Sequence, residues 1–359
     1  MKIMLSVVAV STLLAMPAFP DVKLDEAFAK ASEQALKGKP EDALKTMQKA
    51  ASQCGNCPEG SLLLGRLQER LGNLAEAGVA YTAAAGGAGA GRAEGLAALA
   101  DYELRTSSAK SALVHAQQAV EAQATPTTLG ALARVLARID PPKALVTADQ
   151  AVAAGATSAA AHHGRGAALL ALGKTEEALA AFRKAAELDP RHAPAAASIA
   201  VALTAQGKGV EAVAAARKAV ELEPSSAEAH AILGAAILAQ DPKLWSDAIA
   251  EAQDGAFKNP KNPEIQMIVA KIFETDGRYD QATGSYKRAL EIDPGFAPAR
   301  AALINAQFRR GDIDGALVEA IKLAAEVPGS GEVQLKLGEL LLRKENYPDA
   351  VAPLEKAAR

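Results

Sequence analysis

Three stretches decide the fold: AELDPRHA (186–193), VELEPSSA (220–227) and LEIDPGFA (290–297). Each reads as the tail of a helix, an acidic residue, a proline and a restart, because proline lacks the amide hydrogen that would continue a helix. Working outward, Pro190, Pro224, Pro260, Pro294 and Pro328 are separated by 34, 36, 34 and 34 residues. An alanine lies twelve residues before each, and the series extends over the chain as Ala43, Ala77, Ala112, Ala144, Ala178, Ala212, Ala248, Ala282, Ala316 and Ala350. Seven residues beyond these alanines the side chain is again small in nine of ten units, from Ala50 to Ala357, Leu323 being the exception. Two small positions one heptad apart let a neighbouring helix approach closely.

Within 159–192, two apolar-periodic stretches flank Gly173-Lys174, so the unit reads as helix A, a tight turn and helix B. Gly72, Gly173, Gly207, Gly277 and Gly311 share that turn, where a residue with easy access to positive φ ends helix A. Apolar content is 50% but aromatics only 4%, which suits closely packed Ala- and Leu-rich helices.

Leu64-Gly65, Ala77, Tyr81 and Ala84 recur as Gly166, Ala178, Phe182, Ala185 and Pro190, and as Ala282, Tyr286, Ala289 and Pro294. In this order and period the sequence resembles the tetratricopeptide repeat (TPR) family. The resemblance implies an all-α fold, an α-solenoid of about ten helix-turn-helix repeats in a right-handed superhelix. The units divide as 24–57, 58–92, 93–124, 125–158, 159–192, 193–226, 227–262, 263–296, 297–330 and 331–359, within an array over 21–359. Two departures stand out. The early aromatic of helix A is replaced by His162, His230, Gln266 or smaller residues, and 86–91 forms a glycine-rich joint, either flexible or loosely packed. In the last unit Leu341, Val351 and Leu354 are expected to lie uncovered, offering end-to-end self-association, and Pro353 to kink or shorten the final helix.

Residues 1–20 place Lys2 before an apolar stretch and then small residues, the layout of a secretory signal cleaved before Asp21. Retention as an anchor is the alternative. The mature chain is expected to be exported to a periplasm or beyond, without a stable membrane span. Net charge is −3 with both signs interspersed, which argues against nucleic acid as a partner.

The only cysteines, Cys54 and Cys57, form a Cys-x-x-Cys pair. Haem attachment fails because Pro58 follows, and zinc lacks a second pair, with His115, His162, His163, His192 and His230 far along the chain. The pair sits at the inter-repeat turn where later units carry proline, so a disulfide stapling the first two units is expected, contributing about 2 kcal/mol on the chain-entropy model. A thiol-disulfide enzyme remains the alternative. Trp245, in the two-residue insertion of the seventh unit, either packs on its own hairpin or anchors a partner. No catalytic constellation, metal or cofactor site is expected.

The family resemblance implies that helix A lines a concave groove that binds a peptide or amphipathic segment of a partner protein. By unit position the groove residues are Leu129, Ala133 and Leu136, then His163, Ala167 and Leu170, then Ala197, Val201 and Thr204, then Ala231, Ala235 and Leu238. Charged flanks add Arg66, Glu69, Arg70, Asp101, Arg105, Lys271, Glu274, Asn305, Arg309, Glu339 and Arg343. Tight packing of neighbouring A helices would instead cover the apolar strip. The expectation is therefore a non-enzymatic scaffold, in envelope assembly or as a structural spacer within a larger complex.

Overall fold

The computed structural model describes residues 23–37, 39–55, 57–88 and 90–358, so the expected signal segment lies outside the described residues. Twenty α-helices run through them in pairs. The first five pairs are α1 (Leu24–Leu36) and α2 (Pro40–Gln53), α3 (Pro58–Arg70) and α4 (Leu74–Gly86), α5 (Ala90–Thr106) and α6 (Ala109–Ala122), α7 (Pro126–Leu136) and α8 (Pro141–Ala154), α9 (Ala159–Ala171) and α10 (Thr175–Leu188). The second five are α11 (Ala193–Ala205) and α12 (Gly209–Leu222), α13 (Ala227–Gln240) and α14 (Trp245–Lys258), α15 (Pro263–Thr275) and α16 (Tyr279–Ile292), α17 (Ala297–Arg310) and α18 (Ile313–Glu326), α19 (Gly331–Arg343) and α20 (Tyr347–Ala357). The molecule is an α-solenoid.

The alanine ladder is the core. All ten in-phase alanines, Ala43 to Ala350, are at most 1% exposed. They let helix B lie against helix A, and the aromatic of helix B then fills the space over the glycine of helix A. A Cβ on Gly65 would stand 2.6 Å from Tyr81, and one on Gly166 would stand 2.4 Å from Phe182. The Leu-Gly and aromatic positions are thus two halves of one contact. Turn glycines Gly72, Gly173, Gly207, Gly277 and Gly311 all have φ between +71° and +86°, and in the last unit Glu345 holds this conformation at φ 57°.

The joint after the second unit differs from either expectation. Its helix α5 begins at Ala90, leaving only a short link, and Gly87 and Gly91 are close-packed, while Gly86 has open space beside it. A Cβ on Gly87 would fall 2.1 Å from Pro58, and one on Gly91 2.4 Å from the Glu59 carboxylate. At the other end, Leu341 is buried, because Gly338 lets Leu354 fold onto the hairpin; only Val351 of the three expected residues is exposed. The last unit still exposes Leu335, Leu342 and Tyr347 beside Val351. The final helix is shortened to 11 residues with Pro353 inside.

Candidate functional site

Along the stack, A helices touch A helices, as α3 with α5, α5 with α7 and α13 with α15, so they form the inner wall while the B helices face outward. The predicted groove residues do not share one surface. Leu129, Ala133, His163 and Ala231 are buried between helices, which corrects their assignment to an accessible strip. Leu136, Leu170 and Leu238 are half-buried against the apolar clusters of their own hairpins. Ala167, Val201 and Thr204 remain half-buried, and Lys271, Asn305 and Arg309 are exposed. The reason is the close approach of α7 and α9, where Gly130 and Gly164 remove the side chains that would hold the helices apart. The accessible inner face therefore lies toward the later units.

The earlier units are covered by the chain itself. Asn259 donates its side-chain amide to the Arg105 carbonyl at 3.2 Å, across 154 residues. Arg138 lies 3.1 Å from the Glu264 carboxylate and stacks 4.9 Å over the Phe296 ring. A Cβ on Gly72 would meet the Ser225 Cβ at 3.5 Å. These contacts join the second unit to the sixth, the third to the seventh and the fourth to the eighth. The solenoid thus returns onto itself four units on, and its turns meet along a polar seam. A cavity of about 30 Å³, large enough for one water, lies there among Glu69, Gly72, Arg105, Glu223, Ser225, Glu228 and Lys258.

On the earlier side of the seam, Glu69 accepts bonds at 2.6 Å from both the Tyr81 hydroxyl and the Arg105 guanidinium. Burial works against the Arg105 charge, but the Glu69 and Glu228 carboxylates outweigh it and hold its pKa above the usual range. Burial, then Glu69, raises the Tyr81 hydroxyl well above its ordinary value. Glu223 is also raised, by burial that the Arg70 charge only partly offsets. One edge contributes arginines and the other carboxylates and amides.

Cys54 ends α2 and Cys57 caps α3, where its sulfur accepts the Gly60 amide. Their sulfurs are bonded, and a Cβ on Gly60 would press on the Cys54 sulfur at 3.0 Å. The Cys54 sulfur faces the interior, and no strand precedes the pair among the described residues. Trp245 packs into the hairpin cluster of α13 and α14, and Arg278 covers its ring at 4.2 Å. His162 and His230 tie helix A back to the preceding turn: their Nε2 atoms lie 2.9 Å from the Ala156 carbonyl and 3.0 Å from that of Pro224. Gln334 and Arg300, at the same unit position, bond the carbonyls of Pro328 and Pro294. At these four positions the polar residue therefore satisfies a turn carbonyl. Among the described residues, no His, Cys, Asp and Glu group is arranged to hold a metal, and no helix is long and apolar enough to cross a membrane.

One tetratricopeptide repeat model matches residues 28–93, 233–295 and 301–359, together more than half of the chain. The chain belongs to the tetratricopeptide repeat family. Further tetratricopeptide repeat models match residues 159–192 and 275–319. No curated protein matches the sequence significantly. Human IFIT1, solved as a dimer with PPP-AAAA, is similar with a TM-score of 0.55 at 16% identity, covering 95% of each chain. A chain of the APC/C hetero-tetramer Cut9–Hcn1 is similar with a TM-score of 0.54 at 14% identity, covering 93% of this chain and 86% of that one. TTC0263, a thermophilic TPR protein of Thermus thermophilus, gives a TM-score of 0.48 at 22% identity, over 52% of this chain and all of that one. These likenesses concern the fold. TPR proteins are generally protein-interaction scaffolds.

Of the TPR array's functional features, sequence reasoning missed the acidic and amide side of the seam, Glu228, Asn259, Asn262 and Glu264. Asn262 donates to Glu228 at 2.8 Å and holds its carboxylate in place. The arginine side was visible as a row of basic residues ending the A helices; the pairing was not, because no periodicity relates the two edges.

Proposed function

We propose that this TPR protein is a non-enzymatic scaffold that holds a segment of another protein against the inner face of its later units. The observation that carries the reading is the run from half-buried Val201 and Thr204 to exposed Lys271, Asn305 and Arg309. Apolar contact at one end and charge at the other suit an amphipathic segment whose charges set register. The earlier units contribute stiffness: their inner edge is occupied by the seam, and the Cys54–Cys57 staple fixes the first joint. The signal-like N-terminus supports an exported compartment for this activity, where such a disulfide persists and an envelope assembly role fits.

The test is co-purification from the native envelope, read by mass spectrometry, with Val201→Glu, Lys271→Glu and Arg309→Glu compared with wild type. Partner recovery should fall in each variant. Unchanged recovery in all three would remove the inner face from consideration and favour a spacer that uses outer surfaces.

A further inference from the structure

The two sulfurs of the Cys54–Cys57 staple stand in opposite surroundings. Gly55, at φ 70°, turns the chain between α2 and α3 and brings the two Cα atoms to 5.5 Å. Cys54 closes the C-terminal end of α2 and is 9% exposed. Its sulfur lies 3.1 Å from the Ala51 carbonyl oxygen, and Gly60 of α3 backs it, an added Cβ there standing 3.0 Å away. Cys57 is half-buried at the N-terminal end of α3, where its sulfur accepts the Gly60 amide at 3.4 Å. One residue, Gly60, thus covers one sulfur and caps the other.

The consequence is a polarity in the dithiol form. A helix N-terminus and a donated amide favour a thiolate, which is the attacking species in thiol–disulfide exchange. Both act on Cys57. The Cys57 amide also donates to the Cys54 sulfur at 3.3 Å, but there burial, the Ala51 carbonyl and the negative end of α2 oppose a charge. A Cys54 thiol can instead donate to that carbonyl. Cys57 is therefore both the sulfur that holds a charge better and the one a donor can reach, with Cys54 in bonding reach behind it.

We propose that the dithiol form of this joint is a thiol–disulfide exchange site that takes a disulfide donor at Cys57 alone and uses Cys54 as the resolving thiol. The Cys57 thiolate attacks one sulfur of the donor RSSR; the donor's S–S bond breaks, RS⁻ leaves and a Cys57–S–S–R mixed disulfide forms. The Cys54 thiol then loses its proton to water and attacks the Cys57 sulfur, expelling the second RS⁻ and closing the staple. The chain gives up two electrons and the donor gains them. Opening runs against the same polarity: a reductant that attacks the accessible Cys57 sulfur must expel Cys54 as a buried thiolate, a poor leaving group. The site thus serves closure of the first joint in an oxidising compartment rather than turnover.

The test uses the full chain as Cys54→Ser and Cys57→Ser, each checked for helical circular dichroism, reduced, and mixed with glutathione disulfide at pH 7. Mass spectrometry should show the adduct on Cys57 forming about tenfold or more faster than that on Cys54, and equal rates for both in guanidinium chloride. Reduced wild type, treated alike and quenched with acid, should carry its transient adduct on Cys57 and end without free thiols. Oxidised protein disulfide isomerase, used in parallel, tells a protein-borne donor from a small one by which closes the wild type faster. No adduct in Cys54→Ser, equal or faster reaction at Cys54, or wild type that closes through an adduct on Cys54 overturns the proposal. So does a preference that survives denaturation, since the residues beside the cysteines, and not the two helix ends, would then cause it.

Discussion

At the scale of the residue, His163 shows how a position that reads as groove lining becomes part of the wall. Its Nε2 lies 3.0 Å from the Ser198 hydroxyl of the next unit, its ring stands 5.1 Å from that of His192, and Phe182 closes a third side. Burial, then the Arg134 charge, then His192 depress its pKa well below the ordinary histidine value, and burial followed by Arg134 lowers His192 too. The sign follows. Above the ordinary value of about 6.5 both folded and unfolded states are neutral and these groups contribute nothing. As pH falls below it the unfolded chain takes up protons first, so stability declines by up to about 1.4 kcal/mol per pH unit for each histidine until the folded form also protonates. Urea midpoints between pH 7.5 and 5 should therefore fall, and His163→Gln should flatten the slope. Equal slopes in the two proteins would show that His163 carries no such linkage.

At the scale of the element, the spacing of A helices is set by what is missing between them. A Cβ on Gly164 would fall 2.7 Å from the Gly130 carbonyl oxygen and 3.0 Å from its Cα, atoms that cannot move aside without shifting a helix. Gly164→Ala should thus cost about 1–3 kcal/mol, the range for forcing extra atoms into a packed core. Gly284 offers the contrast: it lies inside α16 with nothing within 4 Å of an added Cβ, so Gly284→Ala should stabilise by up to about 1 kcal/mol through helix propensity. Urea denaturation should move the midpoint in opposite directions; a midpoint unmoved or raised in Gly164→Ala would show that α7 and α9 are not held by this contact. This scale was the most legible. Ala178, Phe182, Gly166 and Gly173 each announce a contact made within one unit, so their spacing carries the hairpin and its turn. The groove was less legible, because whether Leu136 or Leu170 is covered depends on how steeply one unit turns against the next. Gly130 and Gly164 control that angle, yet in sequence they are two more small residues in an alanine-rich chain.

At the scale of the whole molecule, the seam converts those small rotations into closure. A solenoid unit packs only on its neighbours, so contact between turns arises when the accumulated rotation brings one edge back against another. The edges that meet are joined by polar contacts such as Arg138 to Glu264, whose carboxylate side chain is 50% exposed. Pairs of this kind contribute about 0–1 kcal/mol each and weaken with salt, since the screening length shrinks from about 10 Å at 0.1 M to about 3 Å at 1 M. The seam should therefore open under conditions that leave the hairpins intact. A covalent lock separates opening from unfolding: the 3.5 Å between a Cβ on Gly72 and that of Ser225 lies within the range a disulfide spans, about 3.5–4.5 Å. Cysteine at position 72 must adopt φ near +80°, at a cost of about 1–2 kcal/mol, which the added loop closure offsets. Oxidised Gly72→Cys/Ser225→Cys should keep one radius of gyration by small-angle scattering from 0.1 to 1 M NaCl, while the wild type expands with unchanged helical circular dichroism. If the wild type gives superimposable curves at both salts, the seam is held by contacts that salt does not screen, the stacking of Arg138 on the Phe296 ring foremost, and any segment reaching the inner face enters from the open later units alone.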